Sequence, residues 1–152
     1  MPSLYTEIEI NTSRQRVWQV LVHKEQWMYW NTFLYDRTPQ QPFTQGQEVL
    51  LSFRRVPGEI ETEFEARITL MQPNVCMQWV SAIPGFINEQ VFELQDIGRD
   101  RTKYIHQERF SGLLTRLVLP VIRQDEQQGI RRMARELKQF AERQPKQNRS
   151  RP

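Results

Sequence analysis

The sequence predicts a single-domain α+β fold: a curved antiparallel sheet of about six to seven strands wrapped around a long C-terminal helix, with two short helices after the first strand. Three observations predict it. Residues 47 to 111 carry period-two hydrophobicity broken by turns marked with proline and glycine, residues 113 to 141 carry helical periodicity, and residues 4 to 30 combine one strand pattern with two helical ones.

Leu4 to Ile10 alternates, with Leu4, Thr6, Ile8 and Ile10 on one face and Tyr5, Glu7 and Glu9 on the other. Thr12 followed by Gln15 fits a capping box, and Val17, Trp18, Leu21 and Val22 follow at helical spacing. His23 then serves the C-terminal end of this helix, where a cationic or donor side chain suits the dipole. Trp27 and Trp30, three apart, predict one further helical turn before the turn-rich stretch Pro39 to Gly46.

A hairpin about Val56-Pro57-Gly58-Glu59 sets Phe53 opposite Thr62, Leu51 opposite Phe64 and Val49 opposite Ala66, with Leu50 opposite Glu65 on the other face. A slip of one residue would drive Glu61, Glu63 and Glu65 inward, so the carboxylate row reads as a wet face; a hard-cation site there lacks other converging oxygens. A turn about Met71-Gln72-Pro73-Asn74 sets Leu70 opposite Val75, Ile68 opposite Met77 and Ala66 opposite Trp79. About Pro84-Gly85, Trp79 faces Gln90 and Met77 faces Phe92. Across the last turn, Asp96 to Arg101, Leu94 faces Thr102, Phe92 faces Tyr104, Gln90 faces His106 and Asn88 faces Glu108. Leu113, Leu114, Leu117, Val118, Val121 and Ile122, then Ile130, Met133, Ala134, Leu137, Phe140 and Ala141, predict the C-terminal helix, which Pro120 kinks or divides and Gly129 weakens.

The composition narrows the function classes. With 152 residues, 38% of them hydrophobic, the chain closes a core without disulfides or a structural metal, and eight Phe, four Trp and four Tyr exclude disorder throughout. Cys76 has no partner for a bridge, and His23 with His106 falls short of a zinc ligand set, so no metal or other cofactor is expected. Cys76, alternating outward near Glu93, is expected to be a passive surface thiol. The opening residues lack a secretory pattern and no run approaches the roughly 18 apolar residues that cross a bilayer, which predicts a cytoplasmic protein.

The net charge of +3 falls to −1 once Arg143, Lys146, Arg149 and Arg151 are set aside, so the basic character belongs to a tail. Residues 1–142 form the expected domain and 143–152 a basic disordered tail, capable of weak, salt-sensitive contact with RNA or anionic lipid but not of specific nucleic-acid recognition. No Gly-rich phosphate loop, G-x-S-x-G or H-E-x-x-H is present.

The order of elements resembles the helix-grip fold of the START-like superfamily, the polyketide cyclase/dehydrase and lipid-transport type also called SRPBCC. The residues carrying the resemblance are Ile8-Glu9-Ile10 with Arg16-Val17-Trp18-Gln19-Val20-Leu21, and Trp30-Asn31-Thr32-Phe33 where such proteins often carry Trp-Asn-Pro-Phe. Phe43, Gly46, Pro73-Asn74, Met77-Gln78-Trp79, Phe92-Glu93-Leu94, Glu108-Arg109-Phe110-Ser111-Gly112 and Met133 to Lys138 continue it. The resemblance implies a cavity between the concave sheet and the terminal helix, and it is specific for the fold rather than for an activity.

Under the registers above, two inward rows end in polar residues: Val49, Ala66, Trp79, Gln90, His106 and Leu51, Phe64, Ser81, Asn88, Glu108. A buried Glu108 needs a partner. His106 bonded to Gln90 and Glu108 to Asn88 would form a structural cluster; alternatively the four orient a polar group on an apolar ligand, or His106 and Glu108 act in acid/base catalysis. Trp79, Phe64, Phe53, Met77, Phe92 and Tyr104 then form an apolar wall, with Ile130, Met133 and Leu137 as a lid, although core packing accounts for the same residues. Trp27, Trp30 and Asn31 lie where the resemblance puts the entrance, or else serve helix-to-sheet packing.

The leading reading is binding, with transport an extension of it, of a hydrophobic small molecule such as a lipid, isoprenoid quinone, polyketide or aromatic compound. The alternatives are a polyketide cyclase/dehydratase-like enzyme using His106 or Glu108, and a ligand-free module that meets a protein partner.

Overall fold

The computed structural model describes residues 2–143. Apart from Arg143, the tail expected at 143–152 lies outside the described residues. Strand β1 (Ser3–Ile10) leads into helix α1 (Arg14–Val22) and a 3₁₀ turn (Lys24–Tyr29). The strands β2 (Leu34–Asp36), β3 (Glu48–Phe53), β4 (Thr62–Gln72), β5 (Cys76–Ile83), β6 (Phe86–Gly98) and β7 (Arg101–Ser111) follow, and helix α2 (Thr115–Arg143) ends the fold. The seven strands form one antiparallel sheet in the order β1-β7-β6-β5-β4-β3-β2, curled into a half-barrel.

Local chemistry moves one of the predicted boundaries. The cap of α1 is Ser13 rather than Thr12, its hydroxyl accepting from Arg16 N at 3.1 Å, while the Thr12 carbonyl is taken by Thr102 Oγ1 at 2.9 Å. His23 closes the helix through Nδ1, 2.6 Å from Gln19 O. The short edge strand β2, absent from the sequence reading, pairs Leu34 with Phe53 beside β3.

The hairpin β3–β4 has the predicted register, Val49 opposite Ala66 and Leu51 opposite Phe64. Glu63 and Glu65 are exposed; Glu61 pairs with Arg37 and Arg54 and accepts from Ser52 Oγ at 2.6 Å, which fits the wet face. Two other registers need correction. Ile68, not Ala66, faces Trp79, because a bulge between Ile68 and Leu70 inserts a residue and the turn lies further on, with Asn74 at φ 67°. After the bulge Met71 takes the inner face opposite Met77. Across β6–β7, Phe92 faces His106, Gln90 faces Glu108 and Leu94 faces Tyr104, two residues from the expected pairing, because β6 continues to Gly98 through a second bulge. Asp100 at φ 52° closes the turn.

Helix α2 is continuous through Pro120 and crosses the concave face, burying Leu119, Ile130, Met133, Ala134, Leu137 and Ala141. The turn before it and its first turns are apolar on the outside as well: Leu113, Leu117 and Val121, four residues apart, are 94%, 71% and 80% exposed. Gly129 has a packing reason. A Cβ there would stand 2.5 Å from the Phe33 ring, so the glycine is the notch that lets α2 approach the sheet. Thr32 N and Oγ1 donate to Glu136 at 2.9 and 2.7 Å, and Arg132 reaches back to Thr32, Arg54 and Arg55.

Helix propensity alone would make Gly129→Ala stabilising by about 1 kcal/mol. The Phe33 contact reverses the sign: chemical denaturation should show a loss of roughly 1–3 kcal/mol, as for other overpacked sites. A gain in stability would contradict the close approach.

Candidate functional site

The inner wall from β3 to β7 carries a row of aromatic rings joined to a row of polar groups. Phe53, Phe64, Trp79, Phe92 and His106 form a chain of neighbouring rings, with centroid separations of 5.8, 6.4, 4.8 and 4.2 Å along it. Tyr104 stands 6.3 Å from His106, and Phe43 stacks on Trp79 at 5.6 Å. Trp79, Met77, Phe92, Tyr104, Ile130, Met133 and Leu137 are fully buried, Phe53 and Phe64 partly so.

The polar groups meet although their strand pairing differs from the expected one, because a shift of two residues keeps every side chain on its face. Asn88 Nδ2 donates to Glu108 Oε1 at 2.9 Å, Gln90 Nε2 donates to Asn88 Oδ1 at 3.2 Å, and Gln90 Oε1 lies 2.8 Å from His106 Nε2. His106 and Glu108 are fully buried and Gln90 is 4% exposed. The chain is diagonal across β6–β7 rather than straight, since the directly opposed pairs are Phe92–His106 and Gln90–Glu108.

Trp79 Nε1, Tyr104 Oη and His106 Nδ1 on this wall are buried with no hydrogen-bond partner, and Glu108 Oε2 lacks one only while Glu108 is ionised, since the protonated carboxyl bonds to Glu126. Buried polar atoms are normally satisfied, so three on β5 and β7, either side of β6, mark a place where protein packing leaves polar capacity unused.

Burial dominates the electrostatics. It lowers the His106 pKa to about 3, which keeps the ring neutral at physiological pH. The Glu108 carboxyl is pushed well above its ordinary value, first by burial and then by the neighbouring carboxyl of Glu126 on α2; Asn88 and Arg55 oppose this. Burial, with Glu108 nearby, raises the Tyr104 hydroxyl as well. Glu126 is held by Arg55 Nε at 2.6 Å, and the Arg55 guanidinium lies 4.2 Å from the Phe53 ring centre. Neither Arg55 nor Glu126 was singled out from the sequence. The available signal was Glu126 standing seven residues after Leu119 and four before Ile130 on the buried stripe of α2, an acid where an apolar residue fits the period.

Trp27, Trp30 and Asn31 are built into the junction of α1, the 3₁₀ turn and α2. Trp27 Nε1 donates to Leu21 O at 2.9 Å, Trp30 stacks near Phe140, and Asn31 Oδ1 accepts from Phe33 N and Leu34 N. Beside them Lys24, 1% exposed, bonds Asp36 at 2.7 Å and Thr38 O at 2.6 Å. Cys76 does lie on the outer face opposite Glu93, but it is only 8% exposed and burial raises its pKa, which corrects the expectation of a surface thiol. A solvent-open cleft of about 470 Å³ between β1 and α2, lined by Leu4, Pro120, Arg123 and several glutamines, shares no residue with the polar wall. Among the described residues no His/Cys/Asp/Glu group could hold a metal, and no helix is long and apolar enough to cross a membrane.

No family model matches the chain, and no curated protein matches it. Solved structures share its architecture. A START superfamily protein from Mycobacterium smegmatis aligns with a TM-score of 0.69 at 15% identity, over 92% of this chain and 97% of that one. Norcoclaurine synthase from Thalictrum flavum, in complex with dopamine and hydroxybenzaldehyde, aligns with a TM-score of 0.66 at 15% identity, over 91% and 85%. The di-domain ARO/CYC BexL from the BE-7585A biosynthetic pathway gives 0.69 at 11% identity, over 91% of this chain and 46% of that one. These likenesses show the fold: the chain has the helix-grip fold of START-like proteins. At 11–15% identity they establish that fold alone.

His106 and Glu108 give opposite pH signatures. Between pH 6.5 and about 3 the unfolded chain protonates His106 while the folded chain does not, so His106 withdraws stability as pH falls. Glu108 keeps its proton in the folded state above its ordinary 4.5; its contribution is full below that value and is lost as pH rises through the raised one. In urea unfolding between about pH 7 and pH 4, His106→Phe should spare roughly 3 kcal/mol of the acid loss, and Glu108→Gln should flatten the opposite limb. Unchanged pH profiles in both variants would contradict the burial of this pair.

Proposed function

We propose that the protein binds a hydrophobic small molecule between the concave sheet and α2, with its one polar group against the wall formed by Asn88, Gln90, His106 and Glu108. The observation that carries this reading is the set of three unpartnered polar atoms, Trp79 Nε1, Tyr104 Oη and His106 Nδ1, in an otherwise aromatic surround. A site that is mostly apolar with a few convergent polar groups is the usual form of a small-molecule pocket. Trp79, Phe64, Phe53, Met77, Phe92 and Tyr104 supply the apolar contact, and Ile130, Met133 and Leu137 cover it. A lipid, an isoprenoid quinone, a polyketide or a simpler aromatic compound meets this description. Norcoclaurine synthase holding two aromatic compounds on a similar fold supports the aromatic end of that range.

The test is native mass spectrometry of the purified protein, followed by thermal unfolding with candidate ligands. A ligand at a hundred times its Kd stabilises by about 2.7 kcal/mol, which for a chain of this size raises Tm by roughly 5–10 °C. No bound species, and no shift with a quinone, a fatty acid or an aromatic polyketide, would reject the reading.

A catalytic reading has one observation in its favour, the raised Glu108 carboxyl beside Glu126, since a protonated buried acid can donate to a reacting oxygen. It would rest on Glu108 rather than His106, because a base titrating near 3 is poorly matched to proton abstraction at neutral pH. On that reading Glu108→Gln removes turnover of a cyclisable substrate while leaving its binding in place.

A further inference from the structure

The hydrogen-bond chain on the inner wall has a direction, and the direction specifies what each end can bind. Asn88 uses its amide hydrogens on Glu108 Oε1 and its oxygen on Gln90 Nε2. Gln90 is thereby left with its oxygen toward His106 Nε2 at 2.8 Å. A carboxamide oxygen only accepts, so Nε2 of His106 must carry the proton, and a neutral imidazole has only one. Nδ1 is therefore a bare lone pair, fully buried and without a partner. The ring stays neutral because burial keeps its pKa near 3.

The charges nearby favour an uncharged occupant. Arg55, whose charge acts on Glu108, is already paired with Glu126, and Lys24 is paired with Asp36. A buried ligand carboxylate would face the Nδ1 lone pair and the Glu108–Glu126 pair with no free counter-charge. Trp79 Nε1–H and Tyr104 Oη–H remain as neutral donors for a ligand oxygen.

We infer that the site selects an uncharged aromatic or lipid-like alcohol or phenol, whose O–H donates to His106 Nδ1, and that the directed chain Glu108–Asn88–Gln90–His106 sets this choice. The inference rests on the binding reading above and narrows it from any polar group to a neutral hydroxyl. His106 acts as the acceptor; Gln90 and Asn88 are positioning residues that hold its tautomer.

The experiment has two arms. In the first, ¹⁵N NMR of the ligand-free protein assigns the protonation of the His106 ring: the inference expects Nε2 protonated and Nδ1 unprotonated, and a protonated Nδ1 overturns it before any ligand is added. In the second, calorimetry compares 2-naphthol, naphthalene and 2-naphthoate at neutral pH. Naphthol should bind about tenfold more tightly than either of the others, the size of one good hydrogen bond. His106→Phe, which keeps a ring and removes the lone pair, should bring naphthol down to the level of naphthalene and leave naphthalene within about twofold. Equal binding of all three probes, tighter binding of the carboxylate, or a hydroxyl preference that survives His106→Phe overturns the hydroxyl assignment while leaving the binding site standing. Failure of every probe to bind overturns the hydroxyl inference, while the binding reading stands or falls on its own test with a quinone, a fatty acid and an aromatic polyketide. Where His106→Phe does not fold, the NMR arm decides.

Discussion

A seven-stranded sheet with one apolar face has to cover that face, and everything else in this structure follows from the single element that does so. At about 4.8 Å per strand spacing the sheet is roughly 30 Å across, and the 29 residues of α2 span about 44 Å, enough to cross it in one pass. Ile130, Met133 and Leu137 each bring about 1.5–3 kcal/mol of apolar burial to that contact. The curl of the sheet, the notch at Gly129 and the Arg132–Glu136 ties to Thr32 are the means by which a straight rod is seated on a concave surface.

The same covering creates the chemistry. Placing α2 over β7 removes His106 and Glu108 from water and brings Glu126 against Glu108. An ionised acid there would be costly, so the wall is held in neutral or paired form: a neutral imidazole, a carboxyl pushed toward protonation, and a glutamate joined to Arg55. On the binding reading proposed above, such a surface would recognise polarity without charge. Fold likeness at low identity carries no information on this point, because structures as different in chemistry as a START superfamily protein and norcoclaurine synthase share the frame.

Much of the frame was legible residue by residue. The alternation of Val49, Leu51, Phe64 and Ala66 defines both the β3–β4 register and its inward face, since glutamates occupy the other side. The pairing of Trp79 with Gln90 and Met77 with Phe92 follows from a tight Pro84-Gly85 turn. The polar wall itself was legible as a set, because Asn88, Gln90, His106 and Glu108 share one parity. Its partners on α2 and at Arg55 were not, since they depend on how the helix is rotated and placed.

What the amino-acid order determined on its own was local: which positions alternate, which repeat every three to four residues, where a turn must fall, and hence which side chains face inward. What only the tertiary structure decided was how neighbouring strands slide past one another. The bulge after Ile68 changes which parity faces inward, bringing Met71 to the inner face, whereas the slide of two residues across β6–β7 leaves every inward side chain inward, so hydrophobic alternation carries no signal of it. The burial of Cys76, the pairing of Glu108 with Glu126 and the tautomer of His106 are decided at the same level, because each depends on atoms brought close in space from distant parts of the chain.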